Sequence, residues 1–309
     1  MRKDADGRLD ESKLLFRAGE LRSGRYAVDL SPSQAGWKYS GLRVLRLDAG
    51  DSARVPTEAV ETGLLPLSGH ATAEVDGTRY AVAGRRSPFS GPADFLYVPL
   101  GAELTVTSET GGEFALVTAA ATRRLEPVHV RAGDVPVVSR GKGECARVVR
   151  NFCTPDTVEA ERLLAVEVIT PGGNWSSYPP HKHDEDNKHE LPLEEIYYFR
   201  TSAPEAFALH SVYRRDERGG LDANTAMVED GDLVVVPDSY HGPTVAGPGY
   251  DLYYLNVLAG PSQRALVVCD DPSHAWIRDR WSPAADAGSD FSASPPTPVA
   301  IAAEQGARA

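Results

Sequence analysis

Tyr-Pro-Pro-His-Lys-His-Asp-Glu-Asp-Asn at residues 178–187 is the densest polar cluster of the chain, and Leu-Glu-Glu-Ile-Tyr-Tyr follows it at 193–198. On a β-strand, side chains two positions apart point to the same face. We therefore expect the imidazoles of His181 and His183 to project together, while Lys182 points away. Imidazole nitrogens on one face suit a borderline divalent ion, and a carboxylate from the next strand completes a common ligand set.

A further histidine follows a later strand. Asp-Ser-Tyr-His-Gly at 238–242 comes directly after an apolar run that ends at Pro237, and it offers His241 as a ligand. The carboxylate is Glu194 or Glu195, since both open the strand after the histidine pair. A His-x-His pair alone in a charged loop is more often solvated than metal-bound. The strand before the pair, the glutamates after it and the turn that leads to His241 together favour a metal site.

The rest of the chain indicates β-structure. Short runs of strand-forming residues alternate with Gly, Pro and Asp, and few are long enough or correctly periodic for a helix. Many short strands with turn signals between them predict an all-β sandwich or small barrel. The predicted strands are 41–47, 78–82, 94–98, 104–107, 114–118, 163–169, 195–199, 233–236 and 252–257.

A weak repeat divides the chain in two. Leu-Leu-Pro-Leu-Ser-Gly at 64–69 precedes Phe-Leu-Tyr-Val-Pro at 95–99, and Glu-Ile-Tyr-Tyr-Phe-Arg at 195–200 precedes Leu-Val-Val-Val-Pro at 233–237. The two prolines are 138 residues apart (237 − 99), so two copies of one β-barrel unit are the simple account. We predict an N-terminal barrel over 1–140, a C-terminal barrel over 141–281 and a flexible Ala/Ser/Pro-rich tail over 282–309.

Only the second half carries the ligand set. No His-x-His occurs before residue 181, and Glu103 stands after Pro99 where His241 stands after Pro237. His70 and His129 are isolated, which is typical of structural or surface groups. We therefore predict one divalent metal ion per chain and an N-terminal barrel that binds none.

Composition limits the partners. The 32 basic residues form no long stripe against 44 acidic ones, and the net charge of −12 disfavours nucleic acid and anionic membranes. The chain has no apolar run of membrane-spanning length and no apolar N-terminal signal. Three cysteines are too few for a disulfide framework. We expect a cytosolic protein with a small-molecule partner, and the sequence leaves a homo-oligomer open.

This ligand pattern resembles the metal-binding motifs of the cupin superfamily, in which two His and a Glu come from one motif and a His from a second. The resemblance implies two tandem cupin barrels, a bicupin. The stretches 178–187 and 193–198, Ser-Pro-Phe-Ser-Gly-Pro at 87–92 and Asp-Asp-Pro-Ser-His-Ala-Trp at 270–276 resemble the 5-deoxy-glucuronate isomerases of myo-inositol catabolism. In the related 4-deoxy-threo-hexosulose-uronate ketol-isomerases the glutamate directly precedes the apolar run, which favours Glu195 over Glu194. The long gap from His183 to the glutamates and Ser239 in place of a usual glycine depart from the general cupin pattern.

The resemblance implies a metal-assisted conversion of 5-deoxy-D-glucuronate to 5-dehydro-2-deoxy-D-gluconate. Zinc is the expected metal, with manganese or iron(II) as alternatives. Moving the carbonyl needs an enediol or a hydride shift, and the enediol route needs a base, for which Glu194 and Tyr240 are candidates. Arg150 or Lys142 is expected to meet the substrate carboxylate. A metal-dependent dioxygenase or a non-catalytic cupin that binds a sugar acid are the alternative functions.

Overall fold

The computed structural model describes residues 14–215 and 220–281, so the predicted tail over 282–309 lies outside the described residues. Within these ranges the chain is almost entirely β, as the sequence predicts, and ends in one short helix. Its elements are β1 (Leu15–Phe16), β2 (Tyr26–Leu30), β3 (Ser40–Leu47), β4 (Asp51–Pro56), β5 (Val60–Val75), β6 (Thr78–Arg85), β7 (Phe95–Val98), β8 (Glu103–Ser108), β9 (Gly112–Ala120), β10 (Val128–Val130), β11 (Val137–Arg140), β12 (Arg147–Cys153), β13 (Leu164–Thr170), β14 (Trp175–Ser176), β15 (His181–Lys182), β16 (Glu194–Thr201), β17 (Ala208–Arg215), β18 (Leu221–Val228), β19 (Leu233–Val236), β20 (Tyr240–Ala246), β21 (Leu252–Ala259), β22 (Cys269–Asp270) and α1 (Ile277–Trp281).

The N-terminal barrel is built around the long strand β5. The first part of β5 lies in a layer with the order β10-β7-β5-β9-β3-β2, and its last part pairs with β6 and β8, with β4 beyond β8. All of these pairings are antiparallel. The interior of this barrel is filled by aliphatic and aromatic side chains, among them Leu64, Phe114 and Leu116.

The C-terminal barrel consists of two facing sheets. One has the order β1-β19-β16-β21-β13-β12-β11, and the other runs β18-β17-β20-β15-β22, with β14 paired to β20. The structure differs from the predicted division at two strands. β1 pairs with β19 and β11 pairs with β12, although both lie within residues 1–140. The β1 pairing buries Phe16, which is 1% exposed, and this burial explains why the first strand joins the second barrel.

The largest apolar core lies between the two barrels, because their central strands bury apolar side chains on both faces. On β5, Leu64 faces its own barrel whereas Leu65 faces the other half; on β16, Tyr197 and Tyr198 divide in the same way. Strands that are buried on both faces have continuous rather than alternating apolar sequences. This explains the unbroken Leu-Val-Val-Val of β19.

Buried carboxylates fasten one half to the other. Glu61 of β5 accepts hydrogen bonds from the backbone N–H groups of residues 161–163 at 2.6–2.8 Å. Glu167 of β13 accepts two parallel hydrogen bonds from Arg85 of β6, both 2.7 Å, and a third from Arg150 at 2.9 Å. A buried carboxylate needs such partners to remain ionised. The two barrels therefore share polar as well as apolar contacts.

Two further features bear on the expectations from composition. The three cysteines, Cys145, Cys153 and Cys269, are free thiols. In the described part of the chain, no helix has the length and apolar character that crossing a membrane requires.

Candidate metal centre and cavity

Three of the predicted ligands converge inside the C-terminal barrel. The ligand atoms of His183, Glu195 and His241 all lie within 4.8 Å of one another. Glu195 Oε2 is 2.8 Å from His183 Nε2 and 3.0 Å from His241 Nε2. All three residues are at most 4% exposed. A cluster of this kind, withdrawn from water, is suited to a cation.

His181 stands beside this cluster at the edge of a cavity. Its ring centroid is 4.5 Å from that of His241 and 6.4 Å from that of His183. Strand pairing accounts for the position, since His181 of β15 is the direct partner of His241 on β20. The structure thus brings together the four side chains that the two sequence motifs single out.

The segments that carry these ligands are tied to each other. Asp184 accepts a hydrogen bond from Lys182 Nζ at 2.6 Å and another from the backbone N–H of Ser239 at 2.8 Å, which joins the histidine pair to the turn before His241. Directly after His241, Gly242 has a φ of 90°, and a Cβ there would lie 1.9 Å from the carbonyl oxygen of Ser177. This close approach requires glycine.

Backbone carbonyls fix the orientation of the imidazoles. Nδ1 of His181 lies 3.0 Å from the Pro179 oxygen, and Nδ1 of His183 lies 2.9 Å from the Leu193 oxygen. Nδ1 of His241 is 3.4 Å from the Ser239 oxygen. Because a carbonyl can only accept, each Nδ1 carries a proton, and Nε2 is the ring atom through which each histidine can bind a metal ion. Metal-binding histidines are typically held in this manner.

The electrostatics fit a cation at this place. His241 Nε2 is buried and makes no hydrogen bond, although it lies 3.0 Å from Glu195 Oε2. Burial, together with the neighbouring His241, lowers the pKa of His181 to about 3, so this imidazole is neutral. Burial opposes ionisation of Glu195, but the neighbouring imidazole of His241 and the hydrogen bond from His183 hold its pKa well below the usual value. Three imidazoles and one carboxylate match the donor set of a divalent transition metal.

Polar side chains support the carboxylate and the cavity wall. Asn256 Nδ2 donates to Glu195 Oε1 at 2.6 Å. Ser177 Oγ links the hydroxyls of Tyr197 and Tyr254, at 3.1 Å and 3.2 Å. Burial raises the pKa of both tyrosines above 10, so both hydroxyls stay protonated.

A cavity of about 580 Å³ opens beside the cluster, within the range of small-ligand sites. His181 and Glu195 lie in its wall together with Tyr197 and Tyr254. The β11–β12 side contributes cationic and polar groups. These are Arg140, Arg147 and Asn151, with Arg278 from the C-terminal helix.

Glu194 and Tyr240, the predicted bases, do not line this cavity. The carboxylate of Glu194 accepts hydrogen bonds from the backbone N–H groups of residues 38–40, all at 2.8 Å, so it fastens the N-terminal half to β16. Tyr240 stacks on Tyr213 with the ring centroids 5.5 Å apart. Both neighbour a ligand in sequence, and adjacent residues of a strand point to opposite faces.

The structure also places the predicted carboxylate-binding residues elsewhere. Arg150 is buried and donates to the carbonyl oxygens of Pro88 and Gly91, as well as to Glu167. Lys142 is exposed at the turn before β12. Neither lies in the wall of the cavity.

The sequence patterns do not point to Arg147, Asn256 or His210, which the structure places at or beside the cavity. His210 is 2% exposed, its ring centroid is 4.6 Å from that of Tyr197, and burial lowers its pKa to about 3. One signal was available for Arg147: it alternates with Val149 and Asn151, so it lies on the face of β12 opposite to Arg150. No local pattern distinguishes Asn256 or His210 from ordinary strand residues.

Comparison with known sequences gives a consistent result. A model of the KduI/IolB family matches residues 14–277. The 5-deoxy-glucuronate isomerase of Geobacillus kaustophilus is 38% identical over 271 residues, which cover 87% of this chain and 96% of the relative. The 5-deoxy-glucuronate isomerase of Lacticaseibacillus casei is also 38% identical, over 84% of this chain and 96% of the relative.

Solved structures agree with the fold. An IolB-like protein from Salmonella typhimurium superposes with a TM-score of 0.80 at 37% identity, covering 86% of this chain and all of the other. Oxalate decarboxylase from Lactobacillus farciminis has a TM-score of 0.61 at 12% identity, over 84% of this chain and 88% of the other, which shows a shared bicupin architecture. With a family match across both barrels and relatives this similar over nearly their whole length, the chain belongs to the KduI/IolB family.

Proposed function

We propose that this protein is an aldose–ketose isomerase that converts 5-deoxy-D-glucuronate to 5-dehydro-2-deoxy-D-gluconate in myo-inositol catabolism. The observation that carries the proposal is the buried His/Glu cluster at a cavity of about 580 Å³, in a chain whose relatives are named for this activity. The proposal includes a cytosolic location, where the thiols of Cys145, Cys153 and Cys269 stay reduced.

The proposed ligands of one divalent ion are His181, His183, Glu195 and His241. Three imidazole nitrogens and a carboxylate favour zinc, and the same donors accept manganese or iron(II). When bound, the ion supplies Lewis acidity to substrate oxygens on which negative charge develops. The orphaned Nε2 of His241 supports this assignment, because a buried polar atom without a partner is costly.

The remaining polar groups of the cavity suit a hydroxylated substrate. The hydroxyls of Tyr197 and Tyr254 stay neutral, so they act as hydrogen-bond donors toward a substrate oxygen and not as bases. Glu195 is held in place by Asn256, which keeps its second oxygen directed at the histidines. Glu194 and Tyr240 are assigned structural roles.

Anaerobic incubation of the metal-loaded protein with 5-deoxy-D-glucuronate tests the activity. We expect the aldehyde proton signal to disappear from the NMR spectrum while a ketone carbon appears, at equal mass and without oxygen. A reaction that proceeds only when oxygen is admitted would identify a dioxygenase instead. Binding of the sugar acid with no change in either signal would identify a non-catalytic cupin.

A further inference from the structure

Two arginines lie side by side in the cavity wall. Arg140 of β11 and Arg147 of β12 are direct cross-strand partners, so their side chains project from the same face of the sheet. Both line the cavity that His181 and Glu195 also line. Like charges directly opposite each other on neighbouring strands are destabilising, so an anion between them would relieve the repulsion.

Arg147 has spare hydrogen-bonding capacity. Its described hydrogen bonds run only to backbone carbonyls, from Nη1 to the Cys145 oxygen at 3.1 Å and from Nη2 to the Tyr178 oxygen at 3.4 Å. A guanidinium carries five N–H donors in a fork that matches a carboxylate. Among the residues that the structure describes, no carboxylate lies within salt-bridge distance of Arg147, although its side chain is partly buried.

Three other arginines, in the cavity wall or between the barrels, are already paired with carboxylates. Arg278, which also lines the cavity, makes a two-pronged ion pair with Asp270. Arg85 and Arg150 share the buried carboxylate of Glu167. Burial lowers the pKa of Arg147, and the positive charges of Arg278 and Arg140 lower it further. A positive charge that is desolvated without a counter-ion is stabilised by an anionic ligand.

We propose that Arg147 binds the carboxylate of the substrate through a two-pronged ion pair, with Arg140 adding to the positive field. The inference rests on the proposed function and names the group that selects an acidic sugar over a neutral one. Geometry supports it, because Tyr178, whose oxygen accepts from Arg147, precedes His181 by three residues. Three extended residues span at most about 11 Å, so the backbone that Arg147 contacts lies close to His181, and both side chains line the same cavity.

The test compares Arg147→Gln with wild-type protein, and Arg54→Gln serves as a control that removes one exposed positive charge from the N-terminal barrel. Kinetics with 5-deoxy-D-glucuronate are measured first. We expect KM to rise by about 10- to 100-fold in Arg147→Gln, the usual size of a lost charge-assisted hydrogen bond, with a smaller change in kcat. Arg54→Gln should match wild type.

A binding readout separates recognition from structural damage. D-glucuronate and D-glucuronamide differ only in the C6 group, which is an anionic carboxylate in the acid and a neutral amide in the other compound. Calorimetry gives the affinity of the metal-loaded protein for each. Wild type should prefer the acid, whereas Arg147→Gln should bind the two about equally. If this variant does not fold, Arg147→Lys takes its place: it keeps the charge but not the fork, and its KM should still rise.

Two results overturn the inference. One is a wild-type protein that binds the acid no better than the amide. The other is an Arg147 variant that keeps both the wild-type KM and the wild-type preference. Failure of the proposed function is distinguishable, since a wild-type protein that leaves 5-deoxy-D-glucuronate unchanged refutes the isomerase while the binding comparison still decides the role of Arg147.

Discussion

The two barrels are built on the same strand plan but have different interiors. β5 pairs with β7 and β9 as β16 pairs with β19 and β21. If Val98 before Pro99 is matched to Val236 before Pro237, Leu64 corresponds to Tyr197 and Leu116 corresponds to Asn256. At these two positions the first barrel has aliphatic side chains and the second has polar ones.

This difference shows how one of two similar barrels can serve as a scaffold while the other holds the site. Leu64 and Leu116 belong to a closed apolar core, whereas Tyr197 and Asn256 line a cavity of about 580 Å³. A polar interior lowers the stability that burial provides, because polar groups must be hydrogen-bonded to be tolerated inside a protein. The filled barrel and the shared core between the halves offset that cost. A few interior substitutions therefore distinguish a scaffold from a site.

The largest effect is expected when a metal ligand of the second barrel is removed. His183→Ala or Glu195→Gln should lose the bound metal and reduce kcat by about a thousandfold or more, because these side chains hold the ion in position. Wild type should contain one metal per chain by elemental analysis. His129→Ala in the first barrel should keep both metal and activity. Two metals per chain in wild type would contradict the asymmetry between the barrels.

A second prediction concerns the face that the barrels share. Glu167→Gln should cost about 3–5 kcal/mol in the free energy of unfolding, since it leaves the charges of Arg85 and Arg150 buried without a partner. Glu74→Gln, which breaks an exposed pair with Arg79, should cost under about 1 kcal/mol. Urea unfolding of each variant gives the comparison, and equal costs would show that the buried pair does not join the halves.

The stability difference between wild type and Glu167→Gln should depend on pH. Although burial opposes ionisation, Arg85 and Arg150 hold the pKa of Glu167 below its usual value. A depressed folded pKa contributes stability above the unfolded value of about 4.3, and that contribution is lost as pH falls through the folded pKa. The gap between wild type and Glu167→Gln should therefore be full at pH 7 and shrink below about pH 4. A difference in stability that widens on acidification would contradict a lowered pKa of Glu167 in the folded protein.

A reciprocal exchange of interior residues tests the comparison directly. Asn256→Leu imports the first barrel's residue, removes a donor to Glu195 and should weaken metal binding about 10- to 100-fold. Leu116→Asn buries an unpaired amide and should destabilise the protein by about 3 kcal/mol without affecting the metal. Metal titration and urea unfolding of both variants provide the measurements. A matching loss of metal affinity in Leu116→Asn would mean that the two interiors are coupled.

The smallest effect is expected at Glu194. Its carboxylate accepts three backbone hydrogen bonds from the N-terminal half, so Glu194→Gln should lower the free energy of unfolding by about 1 kcal/mol and keep the metal. Metal content and kcat should stay near wild type. A large fall in kcat with normal metal content would indicate that Glu194 acts as the base after all.

Local patterns in the sequence predicted much of this molecule. Gly- and Pro-bounded runs of strand-forming residues predicted the all-β class, and the repeated strand–proline pattern predicted two barrels. His181, His183 and His241 were identifiable because a strand fixes which side chains share a face, so the spacing of ligands within a motif survives folding. The family resemblance favoured Glu195, and the structure places this residue, not Glu194, among the histidines.

Tertiary structure decided what depends on distant partners. The sequence offered Arg150 for the carboxylate, yet Arg150 meets Glu167 between the barrels while Arg147 reaches the cavity. Glu194 likewise meets backbone N–H groups more than 150 residues away. Adjacent strand residues face opposite sides, so a choice between neighbours is a choice between two environments. Composition and spacing cannot identify the environment on each side, because residues far along the chain supply it.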